Sequence, residues 1–419
     1  MFMTTARTAP STDPGVRRWT LGVFAIFFVC GITVASWMAR LPRVRDLLGA
    51  TTLQMGLLIG GLSIGSIAGL LLSSHVIAAL GARRTMGTGG TVMLLGMLVA
   101  GLGTIVPAYW LILLGLIVFG VGMSSSDVAM NLSGAANERR AGRTIMPLFH
   151  AFFSFGTMAG AGIGALMERI HLPVAWHLGL IVLVGFGALV WALPRIQDER
   201  GTLEATEDAE PEQGWRERLS VWKQPTTLLI GLIVLGMAFA EGSAGDWLAL
   251  AMVDERGTTN ATGAVVFGIF VTAMTVGRIA GVKVLDRFGR VPVLRVSALM
   301  GVIGLSMVIF IDSVPVAIVG TVLWGLGASL GFPVGMSAAA DDPRQAAARV
   351  SAVATIGYLA FLVGPPGIGL LGEHVGLLGA LVVVLVLIAV AAVVAPAARE
   401  RQPLGSADRD TPGAPAKLP

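Results

Sequence analysis

Apolar residues run through this chain in long unbroken stretches separated by short clusters of charge. Twelve stretches have helix-spanning length: 19–39, 54–80, 86–106, 109–133, 146–167 and 174–193, then 227–253, 262–285, 291–311, 314–338, 346–371 and 375–394. A transmembrane helix needs about 20 apolar residues, whereas a membrane β-strand alternates apolar and polar positions. These runs are continuous in Leu, Val, Ala and Gly, so the pattern predicts an all-α polytopic membrane protein of twelve helices. The first run follows Arg17 and Arg18, as a signal peptide would. It is longer than a signal core and leads into eleven more, so it is expected to stay as the first span.

Composition agrees with this pattern. Of 419 residues, 55% are hydrophobic and 13% charged, against roughly 25% charged in an average soluble domain. That is too little charge to coat a water-facing surface of this size. The single cysteine, Cys30, excludes a disulfide framework, and five histidines form no metal-ligand spacing. No metal and no cofactor are expected. Neither a phosphate loop nor a dinucleotide-binding fingerprint is present, so the chain itself does not use ATP.

The placement of charge is more informative than its amount. With a cytoplasmic N-terminus, 23 of the 29 Lys and Arg residues fall on the inside, Arg40, Arg43, Arg45, Arg169 and Arg256 on the outside, and Arg278 within a span. The positive-inside rule therefore puts both termini in the cytoplasm of a bacterial-type plasma membrane. The basic pI of about 9.8 then reflects topology, not nucleic-acid binding. Residues 195–224 form the one long polar interruption, acid-rich and linker-like. The expected organisation is an arm (1–15), a six-helix bundle (16–194), a cytoplasmic linker (195–224), a second six-helix bundle (225–397) and a tail (398–419).

The two bundles repeat one another. Residues 119–122 resemble 324–327; Gly162, Gly164 and Glu168 resemble Gly367, Gly369 and Glu373; 36–39 resemble 246–249; and 64–69 resemble 276–281, at offsets of 205 to 212 in register order. Parallel repeats of this kind place a solute site near the midplane between them.

At this point the chain resembles the major facilitator superfamily over essentially its whole length. The string Asp286, Arg287, Gly289 and Arg290 resembles that superfamily's loop signature, which implies a gating role; the first-half counterpart at 78–84 keeps the glycine and basic pair without the acid. Trp37, Ala39, Arg40 and Pro42, with Asp127 and Asn131, Glu241, Asp246 and Trp247, and Gly364, Pro365 and Pro366, resemble the bacterial rhizopine-transporter-like (MosC-like) group, itself distantly similar to fucose/proton symporters. In those symporters an acid in the fourth span takes part in proton coupling, and Asp127 matches it. Their first-span acid is absent; Met38 stands there.

An ionisable group inside a span is costly and marks function by default. Three acids lie well inside: Asp127, Glu241 and Asp246. Asp127 has Asn131 on its helix face at i+4 and His150 at similar depth, so Asp127 and His150 are expected proton-coupling groups. Glu241, among Ala, Gly and Ser, is expected as a second proton site, as a hydrogen-bond acceptor for a polar solute, or as a packing contact between helices. A purely structural Asp bonded to Asn131 is the plainer reading. Arg40 and Asp246, at the outer ends of repeat-equivalent spans, are expected either to close the outer gate as an ion pair or, for Arg40, to snorkel outward. Trp37, Trp247 and Trp324, with Asn131, are expected at the cavity, and Trp19, Trp110 and Trp176 at the membrane interface. Gly364, Pro365 and Pro366 read as a rocking hinge or as close packing.

The expectation is a secondary active transporter working by alternating access on a small, polar, sugar-like solute, with protons and the lipid bilayer as its other partners and the chain acting as a monomer. A drug or metabolite efflux antiporter, or a non-transporting sensor with the same fold, are the alternatives. It is not expected to be an enzyme.

Overall fold

The computed structural model describes residues 13–142, 145–197, 220–342 and 345–400. Among the described residues, twelve helices are long and apolar enough to cross a membrane: Pro14–Met38, Thr52–Leu80, Ala82–Gly103, Tyr109–Ala141, Met146–Arg169, Val174–Arg195, Pro225–Arg256, Asn260–Gly281, Arg290–Phe310, Val314–Ala339, Ala348–Val375 and Leu377–Ala398. They form two pseudo-symmetric bundles of six. The expected arm, linker and tail fall largely outside the described residues.

Several helices extend past their apolar runs, and their caps show why. The first helix begins at Pro14 and not at residue 19, because Asp13 caps it: its carboxylate accepts from Gly15 N at 2.7 Å. The fourth continues to Ala141, past the apolar run, and ends on Gly142 at φ +65°. Between the first two spans lies a short helix, Leu41–Leu48, in what reads as a loop. It is too short and too polar for a spanning pattern. Gly49, at φ +58°, ends it, and a reciprocal cap between Thr51 and Gln54 starts the second span.

Inside each bundle, glycines let helix backbones touch. A Cβ at Gly122 would stand 2.2 Å from Met93 N, and one at its repeat counterpart Gly327 would stand 2.4 Å from Gly301 N. Such contact replaces the hydrophobic drive that lipid cannot supply. Around it the first bundle packs an aromatic cluster in which Phe24 and Phe27 meet Phe149 and Phe152.

The halves meet at one end of the molecule, that of the loop between the first two spans. There Arg45 pairs with Asp254, Asn260 Nδ2 donates to Asp46 at 2.8 Å, and Glu373 accepts from Leu53 N at 3.1 Å. Deeper in, Ser63 Oγ donates to Phe361 O at 2.6 Å.

Candidate functional site

Beneath that seam lies a cavity of about 410 Å³ between the halves, within the range of about 300–1,000 Å³ usual for small-molecule sites. Seven spans line it: the first, second, fourth and fifth from one half, and the seventh, eighth and eleventh from the other. Its charged groups are Asp127, Glu241, Asp246 and Arg278, with Ser63, Ser66, Thr157 and Tyr358 as further polar groups and Trp37, Phe267 and Phe361 among the aromatic ones.

The three acids stand in different surroundings. Glu241 is held by Arg278, whose Nη2 lies 2.8 Å from both carboxylate oxygens. This charge-assisted pairing ties Glu241 of the seventh span to Arg278 of the eighth. Asp127 accepts from Asn131 Nδ2 at 3.3 Å, and the same nitrogen donates to Asp127 O at 2.9 Å; the i,i+4 reading of this pair holds. Asp246 is 8% exposed. It sits in a single widened π-helical turn, Ala244–Leu248, a feature frequent at functional sites. Among the described residues it has no hydrogen-bond or ion-pair partner.

The expected gate between Arg40 and Asp246 is not formed, although the loop end is closed. Arg40, 1% exposed, turns to the fifth span: its Nη2 lies 3.2 Å from Glu168 and donates to Leu172 O at 2.6 Å. Burial explains the choice, because a guanidinium taken out of water needs the nearest carboxylate, and Glu168 lies beside it in the same half. Nor does Arg40 snorkel outward.

His150 does not join Asp127. It is exposed and sets its ring edge-on against Phe27, 5.2 Å between centroids. Of the three tryptophans, Trp37 lines the cavity. Trp247 and Trp324 are fully buried behind it, Trp324 against Phe270 at 5.3 Å. Trp19 is not interfacial either: it is 1% exposed and its Nε1 donates to Ser133 at 2.9 Å. Trp110 and Trp176 are exposed, as an interfacial belt requires.

The loop string stays within the second half. Arg290 pairs with Asp341 at 2.6 Å and donates to Ser337 at 3.1 Å, Gly289 takes φ +74° to turn the chain, and Arg287 lies over Phe288. Asp286 is exposed, without a partner among the described residues. Gly364, Pro365 and Pro366 lie inside a helix that runs on through them. A Cβ at Gly56 would come 2.6 Å from Pro365 O, so this segment forms part of the seam between the second and eleventh spans.

Two charged residues at or beside the site have no role assigned by the sequence alone. Arg278 was visible there as a cation inside a span, but its partner is 37 positions away. Glu168 carried only a repeat match to Glu373. In each case the missing information was a tertiary neighbour.

With this geometry in view, comparison with known proteins fixes the class. The family model described as Major Facilitator Superfamily matches residues 21–247 and 247–418. The chain is 31% identical over 374 residues to an uncharacterised MFS-type transporter of Yersinia pestis, covering 88% of this chain and 93% of that one. It is 25% identical over 388 residues to the membrane protein MosC of Rhizobium meliloti, covering 92% and 90%. Among solved structures, a variant of the nucleoside transporter NupG superposes with a TM-score of 0.73 at 13% identity, covering 91% and 98%. The E. coli fucose:proton symporter FucP superposes at 0.63 and 17% identity, with the same coverage. The chain belongs to the Major Facilitator Superfamily and is a multi-pass membrane transporter.

Proposed function

We propose that the protein moves a small, polar, sugar-like solute across the bacterial plasma membrane by alternating access, coupled to protons, with both termini cytoplasmic and the chain acting as a monomer. The observation that carries this reading is the cavity's unequal treatment of its acids. Arg278 neutralises Glu241, while Asp127 and Asp246 face the same space without a cation. A charge inside a membrane protein is expensive unless compensated, so groups of this kind suit reversible proton binding. Asp127 is the first coupling group and Asp246 the second; Glu241 and Arg278 orient the solute as a fixed hydrogen-bonding pair. Trp37 offers an aromatic face of the sort on which sugar rings stack.

The volume suits a solute of one or two rings. The similarity to transporters named for nucleosides and fucose agrees with this size. In this conformation the seam closes the loop end, which the charge bias makes the outer end, so the cavity belongs to the inward-facing half of the cycle.

Purified protein in proteoliposomes, offered labelled hexoses, pentoses and nucleosides with and without a pH gradient, tests the reading. Accumulation of one class that needs the gradient, and that Asp127→Asn removes, supports it. Gradient-driven accumulation that survives Asp127→Asn overturns the proton assignment. The apolar wall made by Phe153, Phe267, Phe270 and Phe361 favours the second reading, efflux of drugs or metabolites. Efflux would appear as outward movement of varied apolar compounds.

A further inference from the structure

The short helix Leu41–Leu48 has two sides with different attachments. Toward its own half it is anchored. Arg40, at its N-terminus, is buried on Glu168 and Leu172 O, Arg43 Nε lies 3.9 Å from the same carboxylate, and Leu41 and Val44 are buried. Toward the other half its polar contacts are partly exposed: Arg45 with Asp254, and Asp46 with Asn260 at 2.8 Å. Leu41 also lines the cavity. We propose that this helix is the cavity's outer lid, anchored permanently through Arg40 and Glu168 and released at Arg45 and Asp46 each time the loop end opens.

The electrostatics separate anchor from latch. Removing one partner of a buried pair leaves an uncompensated charge and is costly, whereas an exposed pair exchanges its partner for water at little cost. Arg45 also keeps a ligand after letting go, because its Nε and Nη2 bond Asp46 at 3.1 and 2.7 Å within the same helix. An element with one cheap and one costly attachment swings about the costly one. Gly49 at φ +58° and the rigidly capped start of the second span give the lid a defined joint.

This inference rests on the alternating-access reading, so its first test does not need the solute. A cavity cysteine, Leu62→Cys, is labelled by an impermeant maleimide added from the loop side of oriented vesicles. Arg45→Glu, which sets three carboxylates together at the latch, should raise the labelling rate at least threefold. The exchanged pair Arg45→Glu with Asp254→Arg should return it toward the starting rate. Glu168→Gln should not raise it. Unchanged labelling in a monodisperse Arg45→Glu protein, or an equal rise with Glu168→Gln, overturns the division into latch and anchor. Once a transported solute is known, a disulfide between Asp46→Cys and Asn260→Cys should stop uptake and a reductant should restore it. Uptake that continues through the cross-linked protein overturns the lid, whereas a chain that moves no solute before cross-linking speaks against the transport reading instead.

Discussion

The two halves share a skeleton and differ where they face the cavity. In the first, Gly96, Gly115 and Gly122 bring the third and fourth spans into backbone contact; in the second, Gly304, Gly320 and Gly327 do the same for the ninth and tenth. The cavity breaks this symmetry. Glu241, Asp246 and Arg278 come from the second half, and by the repeat offsets their first-half counterparts are Gly31, Ser36 and Ser66. Asp127 is the first half's one charged contribution, opposite Phe332 in the repeat. Helix crossings tolerate no side chain at the contact, whichever half they lie in. Cavity positions are free of that packing constraint.

The skeleton side of this comparison carries the largest expected effects. Gly122→Ala and Gly327→Ala each push a methyl into a neighbouring backbone nitrogen, so each should cost about 1–3 kcal/mol, read as a lowered Tm in detergent. Similar losses in the two proteins keep the symmetry; a loss confined to one breaks it. Gly65→Ala and its counterpart Gly277→Ala sharpen the point. The first meets Ile117 O at 2.0 Å and the second only the Ser329 hydroxyl at 2.5 Å, so the first should be the more damaging.

On the cavity side the halves should diverge. Asp127→Asn should lower gradient-driven uptake at least tenfold, about 1.4 kcal/mol, while Phe332→Leu leaves the dependence on the gradient intact. Arg278→Ser, which makes the second half resemble the first at Ser66, leaves Glu241 without its cation. Both partners are about a third exposed, so the loss should be about 1 kcal/mol in thermal unfolding, short of a fully buried pair. Adding Glu241→Gln should recover most of it; no recovery would mean that Arg278 acts through some other contact. The smallest effect belongs to the aromatic pair. Trp37→Phe should weaken solute binding about threefold, roughly 0.6 kcal/mol, and Trp247→Phe should leave it unchanged, because only Trp37 reaches the cavity.

Much of the architecture was legible in advance because a bilayer demands a crude signal. Twenty apolar residues in a row are required wherever a helix crosses, and twelve such runs in two matching sets give the fold. The short helix Leu41–Leu48 escaped that signal because it lies at the membrane edge, where no such run is needed. Asp127 and Asn131 were readable as a pair because four positions on one helix fix their distance. Arg40 and Asp246 do not pair because repeat-equivalent position is not proximity, and Glu168 stands beside Arg40.

The sequence by itself determined the number of spans, the repeat, the sided distribution of basic residues and the few charges buried among apolar ones. Each is a property of composition along one helix or one loop, where neighbours in the chain are neighbours in space. Only the tertiary structure decided that Arg278 belongs to Glu241, Arg40 to Glu168 and Arg45 to Asp254, and that Asp246 is left facing the cavity alone. Partners from different helices are fixed by how the bundles rotate and cross, and a pattern read along single helices does not contain that rotation.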